Sequence, residues 1–213
     1  VYDTSGILSL LGSLTKEGYG LFDGFLMVGD YTPENGHEES SKGLAVLDSV
    51  VSERVNFGKI YSQGNHDPKT TIGLTPHGNN DPFGAPYGLF LINEDNYADT
   101  GAGGENVAAE LTAYFNEKIS GNWGNKPIFI LCHVPLNFSM RTHKGENART
   151  AMPIVEACNA AGEAGLNVIF LFGHNHSGDY DAYIGGGSIY LAKGDSILVA
   201  DPASVKNAPS EVE

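Results

Sequence analysis

Apolar residues along the chain fall into two rhythms. Short runs without alternation occupy residues 25–28, 59–62, 87–92, 128–132 and 167–172, most of them stopping at a polar or Gly-containing turn. Strands buried on both faces require such runs. Between them the apolar positions recur every three or four residues, which predicts helices over 40–55, 105–119 and 149–164. A further helix is expected over 5–14, with Ser5 as N-cap and Ile7, Leu8, Leu10, Leu11 and Leu14 as its apolar side. Residues 68–86 are rich in Gly, Pro, Asn and His, show no period and read as loop. Two last strands are expected over 188–192 and 196–200. Alternating strands and helices predict an α/β fold with a parallel sheet and right-handed crossovers. One domain over 1–200 accounts for the pattern, followed by a tail over 201–213.

The informative feature is where the polar residues fall. Successive strands release metal-competent side chains at their carboxyl ends: Asp30, then Asn65 and His66, then His133, then His174 and His176. Ligands of open α/β sheets bind beyond the carboxyl ends of the strands. Four of the seven histidines sit at these ends, which scattered core or surface histidines would not do.

Composition narrows the partners. The chain has 213 residues, 41% of them hydrophobic, which excludes a disordered protein. Net charge is −14, from 12 basic and 26 acidic residues. A surface so poor in Lys and Arg argues against nucleic acid, because each phosphate contact needs a base. No apolar stretch approaches the roughly 20 residues of a membrane span. The 28 glycines, plentiful Asn, Tyr and Ser and scarce Lys lean towards an extracellular or cell-surface bacterial enzyme. Cys132 and Cys158 sit in apolar surroundings that suit buried thiols, and two cysteines cannot build a zinc knuckle.

One carboxylate, one amide oxygen and several imidazoles, without thiolate, suit Zn, Mn, Fe or Co. His174 and His176 are two apart, so in extended chain they point to one side. Two neighbouring ions could each take one of them, and Asp30 is the natural carboxylate bridge. Two metals roughly 3.5–4 Å apart can hold a bridging hydroxide and clamp the oxygens of an in-line phosphoryl displacement.

Gly29-Asp30, Gly64-Asn65-His66-Asp67, the isolated His133 after a strand, and Gly173-His174-Asn175-His176 resemble, in order and context, the calcineurin-like metallophosphoesterase superfamily. The resemblance runs from about residue 25 to about residue 200. It implies a two-sheet sandwich flanked by helices (α/β/β/α) and a centre of two divalent or trivalent ions, Mn, Zn or Fe. By the same resemblance Asp30 bridges both ions, Asn65, His133 and His174 complete one, and His176 serves the other. His66 becomes the unliganded acid at the leaving group, and Asp67 the carboxylate that orients it. The implied activity is phosphoester hydrolysis, on a small phosphoester given the acidic surface.

The sequence departs from the family at its first motif, Asp-x-His on an opening strand. Asp3-Thr4-Ser5 is the nearest equivalent, with Ser where His belongs. The expectation is that the motif precedes Val1 and that the chain is a fragment at both ends; a truly missing motif would leave a one-ion site. Arg141 and His143 lie in a basic run after the His133 strand and are candidate substrate contacts. Residues 70–86 are a candidate lid. His37 and His77, in polar surroundings, are expected to be solvated. Two other functions fit the same residues: a catalytically impaired metal-binding or interaction module, and a phosphodiesterase or nuclease.

Overall fold

The computed structural model describes residues 21–31, 36–52, 54–97, 103–133, 148–172, 188–192 and 197–199. These residues form a mixed α/β arrangement. Two strands, β1 (Phe25–Met27) and β2 (Lys59–Tyr61), pair in parallel as a small sheet. Six more form a second sheet in the order β3 (Gly78–Asn79), β4 (Gly88–Ile92), β5 (Pro127–Cys132), β6 (Asn167–Phe172), β7 (Ser188–Ala192) and β8 (Ile197–Val199). The helices are α1 (His37–Val51), α2 (Glu94–Tyr97), α3 (Gly103–Ser120) and α4 (Ala148–Glu163). Among the described residues no helix is long and apolar enough to cross a membrane. The helix expected over 5–14 lies outside the described residues.

The larger sheet corrects the all-parallel expectation. β4, β5 and β6 run parallel, joined through α3 and α4, while β3, β7 and β8 pair antiparallel at the two edges. A short connection between β7 and β8 allows only the antiparallel turn, since a parallel return needs a crossover of a dozen or more residues.

Both faces of the parallel strands are covered, which is why their sequences do not alternate. Phe90 and Ile92 of β4, Ile128, Ile130 and Cys132 of β5, and Val168, Phe170 and Phe172 of β6 face α3 and α4, where Leu111, Phe115, Ile154 and Cys158 complete one core. The intervening positions, Leu89, Leu91, Phe129, Leu131 and Leu171, pack with Leu26, Val28 and Ile60 of the small-sheet segment. Phe25, Met27 and Tyr61, on the other face of that sheet, meet Leu44 and Leu47 of α1. Each fully buried Leu or Ile contributes about 1.5–3 kcal/mol, so these clusters are the main force holding the elements together.

The loop over 68–86 is fastened, not loose. Asp81 accepts from Leu89 N at 2.7 Å and Tyr114 Oη at 2.7 Å, and pairs with the buried Lys118 ammonium of α3. His77, expected to be solvated, lies edge-on to Phe90 and pairs with Glu110 of α3 at 2.8 Å.

Candidate metal centre

The small sheet delivers two loops that touch. After β1 come Gly29 and Asp30, both in the left-handed region with φ of 96° and 57°. A left-handed backbone costs a non-Gly residue on the order of 1–2 kcal/mol, so something must hold Asp30 there. That something is Asp67. Its carboxylate accepts from the backbone N–H of Asp30 at 2.6 Å, Tyr31 at 3.0 Å and Gly64 at 3.0 Å. Gly64 presses against Asp30 so closely that a Cβ there would collide with the Asp30 amide nitrogen and carboxylate. A Cβ on Gly29 would lie 2.5 Å from Gly64 N. The two glycines are therefore required by contact between the loops.

Three donors from separate strand ends meet above these loops. Asp30 Oδ1 accepts from the backbone N–H of His66 at 2.9 Å, leaving Oδ2 directed at His133 Nε2, 3.1 Å away. Asn65 Oδ1 lies 3.0 Å from the same nitrogen. His133 is 1% exposed, and its Nδ1 lies 2.6 Å from the Val28 carbonyl oxygen. A carbonyl oxygen only accepts, so Nδ1 carries a hydrogen. In the neutral ring Nε2 then holds a lone pair that faces two oxygens. A proton shared between this nitrogen and the Asp30 carboxylate, or a cation taking its place, reconciles the two.

The electrostatics agree. Burial alone would lower the His133 pKa, but the hydrogen bond and charge of Asp30, the Val28 carbonyl and Glu94 raise it above the ordinary histidine value. Burial likewise opposes ionisation of Asp30, yet His133 and the His66 contacts hold its carboxyl below the usual range. Each group thus favours the charged form of the other.

The donor set fits a metal of borderline hardness. Donors 3.0–3.1 Å apart have the separation of two ligands at right angles and about 2.1 Å from a common ion. Second-sphere order is present too, because the Val28 carbonyl fixes the ring of His133 as metal-bound histidines usually require. Among the described residues no three His, Cys, Asp or Glu side chains gather into a metal cluster; the third donor at this site is the amide of Asn65.

The remaining expected site residues divide. The His66 side chain is partly exposed and makes no hydrogen bond among the described residues. The hydrogen bonds described at the Asp67 carboxylate come from three backbone donors, and through them it ties the loops of Asp30 and Gly64 together. Burial, with the charge of Asp30, raises the Asp67 carboxyl above the usual range, against the pull of its backbone donors. His174, His176, Arg141 and His143 lie outside the described residues.

Sequence reasoning missed Glu94. It is 3% exposed, follows β4 at its carboxyl end and adds negative charge near His133. The signal that could have found it is the one that found the others, a polar side chain just past a wholly apolar strand. In comparisons with known proteins, no family model and no curated protein matches this chain.

Proposed function

We propose that the chain is a metal-dependent phosphoester hydrolase of the calcineurin-like type. The observation that carries this reading is the meeting of Asp30, Asn65 and His133, remote in sequence, with one imidazole nitrogen 3.1 Å from the carboxylate and 3.0 Å from the amide oxygen. The core clusters support the finer fold, an α/β/β/α sandwich in which α1, the small sheet, the large sheet and the pair α3 and α4 are successive layers.

Asp30, Asn65 and His133 would hold one ion of Mn, Zn or Fe, joined by His174 on the strength of the sequence resemblance. Asp30 and His176 would serve a second. When bound, such ions polarise phosphoryl oxygens and make water a nucleophile near neutral pH. The chain's own groups do the rest. Val28 fixes the His133 tautomer, Asp67 keeps both loops in register, and the His66 imidazole is available to protonate the leaving oxygen. A net charge of −14 repels large polyanions, which favours a small phosphoester.

Metal content per chain after Mn is offered, with hydrolysis of p-nitrophenyl phosphate and bis(p-nitrophenyl) phosphate, tests this reading. Bound Mn with turnover, both lost in Asp30→Ala, is the expected result. Failure to bind any metal overturns it, and metal without turnover transfers the chain to the impaired-module reading.

A further inference from the structure

We infer that Gln63 is a positioning residue, one that sets the small sheet's Gly64–Asp67 loop against the large sheet. Gln63 follows β2 and is 4% exposed. Its amide is used from both ends: Nε2 donates to the Asp67 carbonyl at 2.9 Å and to Asp95 Oδ2 at 3.0 Å, and Oε1 accepts from Asp95 N at 3.2 Å. Its backbone N–H donates to Asn93 Oδ1 at 2.8 Å. Asn93 and Asp95 stand at the carboxyl end of β4, in the large sheet. Asn93 also donates through Nδ2 to the Thr75 carbonyl at 2.9 Å, so it is itself held.

The consequence concerns distances. Asp30 and Asn65 ride on the small sheet, whereas His133 rides on β5 of the large one. The packing between the sheets is largely apolar, and apolar contact carries little directional information. Directional bonds near the site supply the missing register. One Gln side chain joins the closing carbonyl of the Gly64–Asp67 loop to the start of α2, and its Oε1 satisfies an N–H that the first turn of a helix leaves open. An apolar side chain of the same size would fill the space but fix none of this.

The inference rests on the reading of Asp30, Asn65 and His133 as metal ligands, and its primary test needs no metal. Gln63→Leu removes every side-chain bond. Gln63→Glu keeps the length and the acceptor but removes the Nε2 donors and sets a carboxylate against Asp95. In metal-free protein, amide exchange at residues 30, 31, 64, 66 and 67 is expected to accelerate about tenfold or more in both, with β5 and β6 still protected as the internal control for folding. Adding Asp95→Asn to Gln63→Glu places a donor opposite the new carboxylate and should restore part of the protection. Mn affinity should fall by about 10- to 100-fold in the folded single variants. Faster exchange confined to residues 93–97, with 30–31 and 64–67 unchanged, overturns the inference. Should the wild-type chain bind no Mn, the proposed function fails while the exchange result still decides the role of Gln63.

Discussion

Asp30 and His133 come from the ends of different sheets, and their side chains meet at 3.1 Å in a nearly dry site. The aspartate reaches that place only by adopting a left-handed backbone, and the histidine is turned towards it by a bond to the Val28 carbonyl. Backbone strain at one partner and a fixed tautomer at the other mark a place organised for charge, since neither feature is needed to fill a core.

Strain and ligation at Asp30 can be separated. Asp30→Gly removes the carboxylate and relieves the positive φ, whereas Asp30→Ala removes the carboxylate and keeps the strain. Both variants should lose metal, and the glycine variant should be the more stable by about 1 kcal/mol in urea unfolding. Equal stabilities would mean that φ at this residue stores nothing.

His66 touches Asp30 through its backbone N–H, not its ring. His66→Ala therefore leaves Asp30 where it is. Metal affinity should stay within about twofold, while turnover on a model phosphoester falls by about 10²–10⁴. Loss of metal, or unchanged turnover, removes the general-acid role.

The strands were legible because burial on both faces leaves an unmistakable apolar run, and Asp30, Asn65 and His133 were legible because each follows one. Other features depend on partners distant in sequence and leave no local trace. The Asp81–Lys118 pair is such a case: nothing in a Gly- and Pro-rich loop announces that an aspartate will meet a buried ammonium on α3. Gln63, Asn93 and Asp95 look like ordinary turn residues until the two sheets bring them together. The family resemblance sets Asp67 beside His66, whereas its three backbone donors come from loops that only folding juxtaposes. The two-residue β3 is too short to carry any period.

Gly64→Ala tests the contact between the loops. The new methyl would run into the Asp30 amide and carboxylate, so overpacking should cost about 1–3 kcal/mol and weaken metal binding together. Gly84→Ala is the control, because φ is 77° there and the methyl meets nothing within 4 Å. It should cost backbone strain of about 1–2 kcal/mol and leave metal affinity unchanged. If Gly64→Ala binds metal as the wild type does, the glycine is not what seats Asp30.

The bolt between the 68–86 loop and α3 predicts an asymmetry. Lys118 has 7% of its side chain exposed, stacks near Tyr114 and Trp123 and has Asp81 as its carboxylate partner, which is itself 21% exposed. Asp81→Ala strands a buried ammonium and should cost about 3–5 kcal/mol. Lys118→Met leaves Asp81 its Tyr114 and Leu89 donors and should cost less. Urea midpoints of the two variants and of the double variant decide; equal single costs would show that the ammonium is not truly desolvated.

Alkaline pH should unfold the protein through groups that cannot ionise in place. Cys158 is 1% exposed, and burial pushes its thiol up to about 12. An unfolded thiol ionises near pH 8.5, so between that value and about 12 the unfolded state releases a proton that the folded state retains. Stability from this group is therefore complete below about pH 8.5. Above it, stability declines by about 1.4 kcal/mol per pH unit until the folded thiol titrates. Tyr114 adds to the decline, its phenol raised by burial and by the hydrogen bond and charge of Asp81. Urea unfolding of the wild type and Cys158→Ala from pH 7 to 11 isolates the thiol, since the variant should lose stability less steeply above pH 8.5 even though the smaller side chain makes it weaker at neutral pH. Parallel curves would mean that the thiol reaches solvent without unfolding. Rapid labelling of native Cys158 at pH 8 by a thiol reagent would show the same opening directly.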